Sequence, residues 1–556
     1  MSSNLDRRPL SRRFLLTATT RVLGVAGLSI LTACGQSTTA TSGTSSASTA
    51  AGTTSAASSA PATSVATTAS STVSQTATSS SAATSSTTAA LSAASTTTTA
   101  ANTTAAAPNT AATSSAASTA AATSASAAKA ATGAPATVRV WGFGLDDAFA
   151  KARLQVFQQA SPNITVKPVG GSLNTQQLLT AVASGDPPEV VSFDRTQTGS
   201  WAGRNGIDPI DDLVSVSKFD LGQFYPFSVD QVKYQGKLYG VPQFVTCDLL
   251  YINNDVLQKA GVDPTTVDPG NWEQLQSLGA KLHVENGGKV TRTGFDTKMQ
   301  DGRLWYWSWA NGDNNPISAD GRKAEFTDPK IVEALTWGKA TVDMQGGDKA
   351  RAAFSQTQNF FSAQNPVIIG QIAMTIFEQW LIGVLSYKPD LNFTAMVPRK
   401  RHSTDGLTTA TGSVFAIPHG IKGNPREGAW SFISGMTSTQ AWVDGAKAAA
   451  EKSLSVDKKP YTATITGNIQ ADQQIWTQVY KPISKGFDDA VKLFPELVKV
   501  SMYPYSGPVA NEVSDALTAD VNDALQGAKT PEAALGDLNK KAQSAIDNFA
   551  KGPGNR

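Results

Sequence analysis

Two contrasting patterns of apolar and polar positions divide this sequence. From Gly35 to Ala128 nearly every position is Ser, Thr or Ala, and none is charged. Such a stretch has too little large apolar surface to offset the entropy of ordering it. All eleven Trp lie at or after Trp141, so the part able to form cores is predicted to begin near Thr137. There the run 137–141 (Thr-Val-Arg-Val-Trp) predicts a β-strand. Asp146 and Asp147 suit the first turn of a helix. Phe149, Ala152, Val156, Phe157 and Ala160 follow at helical spacing, and Pro162 ends the helix. Residues 163–168 read as a second strand. Residues 173–184 read as a second helix, with Leu178, Leu179 and Val182 inward and Gly185 as its stop. Residues 189–193 read as a third strand. This β-α-β-α-β order implies a parallel, doubly wound sheet. The pattern recurs, with strands at 248–253, 371–376 and 413–418 and helices at 255–260 and 425–436. Residues 509–550 read as largely helical. The fold class is therefore α/β, in two lobes, with no internal repeat.

Ligands of open α/β sheets bind beyond the carboxyl ends of the strands. Trp141 ends the first strand and Asp194-Arg195 follow the third, so both point at one crevice. Asp194 and Arg195 equally suit a structural salt bridge. Glu378 and Trp380 stand at the end of the strand 371–376. An indole offers an apolar face, and a carboxylate or guanidinium offers directional hydrogen bonds. Trp380 suits either an apolar platform for a ligand or core packing. In 304–309 (Leu-Trp-Tyr-Trp-Ser-Trp) an extended chain would put Trp305, Trp307 and Trp309 on one face, in core or cleft. Trp309, just ahead of Asn311-Gly312, is the favoured cleft candidate.

Charge and the N-terminus sharpen the picture. The formal net charge is +2. Ahead of residue 137 stand Arg7, Arg8, Arg12, Arg13, Arg21 and Lys129, with Asp6 as the one acid. The remainder holds 40 basic and 43 acidic residues, which gives no footprint for nucleic acid. The first 33 residues read as an export signal, because a basic region precedes a short apolar run at 22–31, too short to span a bilayer. Leu31-Thr-Ala-Cys34 resembles the bacterial lipobox, which implies cleavage before Cys34 and diacylation of that residue. Residues 11–16 (Ser-Arg-Arg-Phe-Leu-Leu) resemble the twin-arginine export motif. Residues 34–136 then form a lipidated Cys and a Ser/Thr/Ala tether, flexible or O-glycosylated. Cys247, the other cysteine, reads as a small buried apolar residue, so no structural disulfide is expected.

From about Thr137 to Asp547 the chain resembles the bacterial extracellular solute-binding proteins of the maltose-binding type, which serve carbohydrate importers driven by ATP hydrolysis. The resemblance is carried, in order, by Val138-Arg-Val-Trp-Gly142 and Leu178-Leu-Thr-Ala-Val-Ala-Ser-Gly-Asp-Pro-Pro-Glu-Val190. Asp194-Arg195, Gly240-Val-Pro-Gln-Phe244 and the run 250–262 follow. After these come Asn271-Trp-Glu-Gln-Leu275, Trp309-Ala-Asn-Gly, the run 319–326, Ala373-Met-Thr-Ile-Phe-Glu-Gln-Trp380 and Thr530-Pro-Glu-Ala-Ala-Leu535. It implies a periplasmic-binding-protein-like fold with a ligand cleft and a hinge. Lobe one is expected to hold 137–247 and about 398–455, and lobe two 248–397 and about 456–556. Crossings are expected near Cys247, Val397 and Ser455. It further implies Asp194 and Arg195 as ligand hydrogen-bonders, Trp380 as a stacking platform, and Trp141 with Gly142 at the mouth of the first strand. Where maltose-binding members carry a cleft glutamate, this chain has Thr246, Cys247 and Asp248, and Asp248 is the candidate substitute.

The candidate ligand residues are thus Trp141, Gly142, Asp194, Arg195, Asp248, Trp309, Glu378 and Trp380. No catalytic residue, metal ligand or cofactor is expected. The three His (His283, His402, His419) show no metal-ligand spacing, and no hydrolase or phosphate-loop motif occurs. The expected partners are a carbohydrate-like ligand, the permease of an ATP-driven importer and, through the lipid, the outer face of the cell membrane. The protein is expected to be a monomer. The rival classes are a secreted polysaccharide hydrolase or lyase, needing only two carboxylates, and a stalked surface adhesin with an exposed patch. A polyol, polyamine or phosphodiester ligand also suits the wider fold family.

Overall fold

A computed structural model describes residues 134–145, 148–312 and 314–552. The export signal, Cys34 and the Ser/Thr/Ala tract lie outside the described residues, as do Asp146 and Asp147.

Strands of the first half are β1 (Ala136–Trp141), β2 (Ile164–Val169), β3 (Val190–Asp194), β4 (Lys233–Tyr234), β5 (Lys237–Leu238), β6 (Val241–Pro242) and β7 (Thr246–Asn253). Those of the second half are β8 (Val284–Asn286), β9 (Lys289–Asp296), β10 (Ile372–Glu378), β11 (Phe393–Met396), β12 (Thr408–Thr411), β13 (Ser413–Ala416) and β14 (Ser501–Met502). They form two large sheets, one per lobe, and a small β4–β5 hairpin. The first sheet has the order β2-β1-β3-β13-β6. β1 runs parallel to β2 and β3, with the helices Ala148–Ala160 and Thr175–Ala183 as crossovers. This is the doubly wound arrangement that the alternating pattern implies. β13 joins antiparallel between β3 and β6. The second sheet has the order β14-β12-β7-β10-β9-β8, and β11 also pairs with β7.

Burial explains the strand sequences. Every residue of β7 is buried. Leu250 and Ile252 face one core, which they share with Trp272, Trp307, Trp337 and the helices Ala510–Leu525 and Pro531–Lys551. Cys247, Leu249 and Tyr251 face another core, shared with Leu381, Trp442 and Phe487. A strand covered on both faces needs no polar alternation. Residues 304–310 correct an expectation. They form the helix Leu304–Ala310, with all seven residues buried. A helix enclosed on every side shows no amphipathic period, so its Trp spacing imitates a strand.

Two crossing segments run side by side. The chain leaves the first sheet after β6 and enters the second at β7. It returns between β12 and β13 at Gly412. The expected return near Val397 is therefore corrected, because β11 and β12 both still pair with β7. Gly412 has φ +141°, and a Cβ there would run into the Phe244 carbonyl, so the two strands approach closely only with glycine at this point. A third crossing follows the helix Thr439–Ser455, where Ile465 and Gly467 accept from the amides of Val245 and Tyr225 (3.4 Å each).

Candidate functional site

The sheet ends beside these crossings define the site. On lobe one they are the carboxyl ends of β1 and β3. On lobe two they are the carboxyl ends of β9 and β10 and the start of β7. The registers place them together. Asp194 pairs with Ser413, next to Gly412, while Thr246 pairs with Thr411 and Asp248 with Glu378.

On lobe one, Trp141 is half-buried against the core and leads into Gly142. Gly142 has φ +80°, and a Cβ there would strike the Ser192 carbonyl, so the β1–β3 contact demands glycine. The half-buried Asp194 carboxylate accepts from the Thr196 amide (2.9 Å) and hydroxyl (2.8 Å), which caps the turn after β3. It forms no salt bridge with Arg195. Arg195 is fully buried. Its Nε donates to Gln231 (3.1 Å), Nη1 to the carbonyls of Phe244 and Ser413 (3.1 Å to the latter), and Nη2 to the Thr411 carbonyl (2.7 Å). This corrects the reading of Arg195 as a ligand hydrogen-bonder. Its three nitrogens are committed to the two crossing segments and to Gln231, because a buried guanidinium is costly unless it is hydrogen-bonded.

On lobe two, Gln379 plays a matching part. It exchanges hydrogen bonds with the Cys247 backbone (2.7 Å in both directions) and donates to the Val245 carbonyl (3.1 Å). Cys247 is buried, with Sγ 3.4 Å from Ser501 Oγ, and burial pushes its thiol up to about 12. Asp248 and Glu378 meet at Arg303, whose Nη2 lies 2.8 Å from Asp248 and 2.6 Å from Glu378. Burial pushes the Asp248 carboxyl up, against the pull of Arg303. Burial also opposes the charge on Arg303, but the two carboxylates outweigh it and the guanidinium stays protonated. Beside them Lys298 bridges Asp296 (2.9 Å) and Asp301 (3.6 Å) and lies over the Phe377 ring. Burial opposes ionisation of Asp296, yet Lys298 and Arg351 hold its carboxyl below the ordinary range.

Trp380 stands at the rim in a cluster of aromatic rings. It stacks on Phe361 at 5.9 Å and 7°, and meets Phe377 and Phe360 edge-on at 5.2 and 6.1 Å. Phe361 itself is exposed. Trp309 does not join this rim. It is 1% exposed, inside the core with Trp305 and Phe326, so its placement as a cleft residue is corrected. Trp141, Gly142, Asp194, Glu378 and Trp380 stand partly exposed at these sheet ends, whereas Trp309 and Asp248 are buried. The expectation that Asp248 takes the place of a cleft glutamate is also corrected, because its carboxylate is spent on Arg303. Sequence reasoning missed Arg303 and Lys298. They lie in a loop without periodicity, and the acids Asp248 and Glu378 that hold Arg303 are remote in sequence.

The lobes also touch. In the helix Thr198–Gly203 of lobe one, the Gly199 amide donates to the Ser506 carbonyl (3.0 Å), and Ser200 Oγ accepts from the Asn511 amide (3.2 Å). Arg204, just after it, donates to the Pro508 carbonyl (2.8 Å) and pairs with Glu512. The helix follows β3 directly, so these contacts lie on the side of the sheet that carries Asp194.

Among the described residues, no helix is long and apolar enough to cross a membrane. In comparison with known proteins, the solved structure of CpMnBP1 with mannobiose bound shares the fold (TM-score 0.60, 21% identity, 73% of this chain and 100% of that one). The arabinooligosaccharide-binding protein of Bacillus subtilis is 21% identical over 259 residues, 45% of this chain and 57% of that protein. The sn-glycerol-3-phosphate-binding periplasmic protein of Salmonella paratyphi A is 28% identical over 192 residues, 33% of this chain and 43% of its own. The match therefore spans about half the length of these two curated relatives. Residues 143–441 match the family described as bacterial extracellular solute-binding protein, and the chain belongs to that family.

Proposed function

We propose that this protein captures a sugar or oligosaccharide outside the cell and delivers it to the permease of an ATP-driven importer. The observation that carries this reading is the hinge-side placement of partly exposed indoles (Trp380, Trp141) with the carboxylates Asp194 and Glu378. Such a set meets both faces of a pyranose. The arabinooligosaccharide-binding relative and the mannobiose-bound neighbour support the ligand class. The mechanism is capture by closure, since a ligand that touches both lobes only when they are together stabilises the closed form. Cys34 carries the lipid that holds the protein on the outer face of the membrane, and the Ser/Thr/Ala tract is the tether. The protein acts as a binding component, without chemistry of its own.

Thermal shift of the purified protein against mono- and oligosaccharides tests this reading. A ligand at about 100 times its dissociation constant adds about 2.7 kcal/mol of stability. The expected result is a shift with one sugar series that is lost in Trp380→Ala. No shift with any solute, together with cleavage of a glycan by the purified protein, would overturn it. For the anchor, Cys34→Ala is expected to release the protein into the medium, and a variant that stays cell-bound would exclude the lipid.

A further inference from the structure

Three cations described beside the hinge, Arg303, Lys298 and Arg195, are each paired. Arg303 donates from each guanidinium nitrogen, with Nε and Nη2 to Asp248 (3.3 and 2.8 Å), Nη2 also to Glu378 (2.6 Å) and Nη1 to the Asp301 carbonyl (3.1 Å). Asp248 is sealed, with 2% of its side chain exposed, whereas Glu378 keeps 22%. Lys298 is shared between Asp296 and Asp301. Across the hinge, Arg195 is committed to backbone carbonyls and Gln231. A phosphate or carboxylate entering here would lose its water opposite carboxylates and find Arg303, Lys298 and Arg195 already paired, which is unfavourable. A hydroxyl rim faces no such conflict, since it donates to the outer oxygen of Glu378.

We propose that Arg303 is a specificity-determining positioning residue, an internal counter-ion that, anchored by the sealed Asp248, fixes Glu378 as an acceptor and confines the site to uncharged polyhydroxylated ligands. This rests on the solute-binding reading and narrows it. It sets the chain apart from the relative named for sn-glycerol 3-phosphate, a charged ligand.

The test uses calorimetry on the full chain, on Glu378→Gln and on Asp248→Asn/Glu378→Gln, with mannobiose, digalacturonic acid and inorganic phosphate as probes. The native protein is expected to ignore both anions. Each variant frees part of Arg303 and is expected to bind phosphate and digalacturonate at least about tenfold more tightly than the native protein does, a gain expected to be lost when Arg303→Met is added to the double variant. Glu378→Gln leaves the buried Asp248–Arg303 pair intact and decides the matter if the double variant does not fold. Tight anion binding by the native protein, or no gain in Glu378→Gln, would overturn the proposal. If mannobiose and every other neutral sugar fail to bind while the anion pattern is as expected, the counter-ion role stands and the carbohydrate reading falls.

Discussion

Asp194 and Arg195 are neighbours in sequence, yet they do opposite work. Asp194 keeps its carboxylate half-exposed and caps the turn that follows β3. Arg195 is enclosed, and burial lowers its guanidinium to about 10 even though Asp194 works the other way. Its fork joins Phe244, on the outgoing segment between β6 and β7, to Thr411 and Ser413 on either side of Gly412. Arg195→Lys keeps the charge but loses the fork. The Ser413 carbonyl keeps the Gln243 amide, but those of Phe244 and Thr411 lose the guanidinium N–H, at about 1–3 kcal/mol each. The expected loss is roughly 3 kcal/mol, seen as a lower urea midpoint. Asp194→Ala should lose only about 1 kcal/mol, the worth of a cap. The sequence marks both residues as polar groups at a strand end. It does not reveal the direction of each side chain, because the carbonyls that claim Arg195 lie far along the chain.

Strands with β-branched and aromatic runs, such as β1, β3 and β10, are legible from local pattern alone. The helix Leu304–Ala310 is not, since complete burial erases its period. The return at Gly412 is also hidden, because β11 and β12 are too short to declare which sheet they join. The third crossing carries a further device invisible to pattern. Asp472, in the helix Ile469–Gln474, is fully buried and accepts from Tyr225 Oη (2.8 Å) and the Thr466 amide (2.7 Å). Burial raises its carboxyl to about 7, although these hydrogen bonds pull it down. The folded state therefore holds this proton more tightly than the unfolded chain. Its contribution to stability is full below about pH 4, the ordinary carboxylate value, and is lost as pH rises through about 7. Asp472→Asn removes that dependence. In denaturant titrations the stability of the variant relative to the native protein should rise by roughly 1.4 kcal/mol per pH unit across the window. A constant difference between the two proteins would refute the assignment.

At the scale of the molecule, the seat of Ser506–Pro508 on the helix Thr198–Gly203 joins the lobes on the side of the sheet that carries Asp194. A Cβ at Gly199 would meet the Ser506 carbonyl and the Gly507 backbone. Gly199→Val is therefore expected to part the lobes. Small-angle scattering should show a larger radius of gyration, and affinity for the ligand should fall about tenfold because closure becomes harder. An unchanged radius would mean that this segment travels with lobe one. The crossings also impose an order on biogenesis. β13 sits between β3 and β6, so the first sheet lacks a central strand until residues 413–416 have been made. On a ribosome that delivers the N-terminus first, the early half of lobe one must wait, with its edge unpaired, while most of lobe two is translated. Shielding of that edge during synthesis is then a requirement of the fold, and a fragment that stops before residue 413 is expected to aggregate rather than form a smaller binding protein.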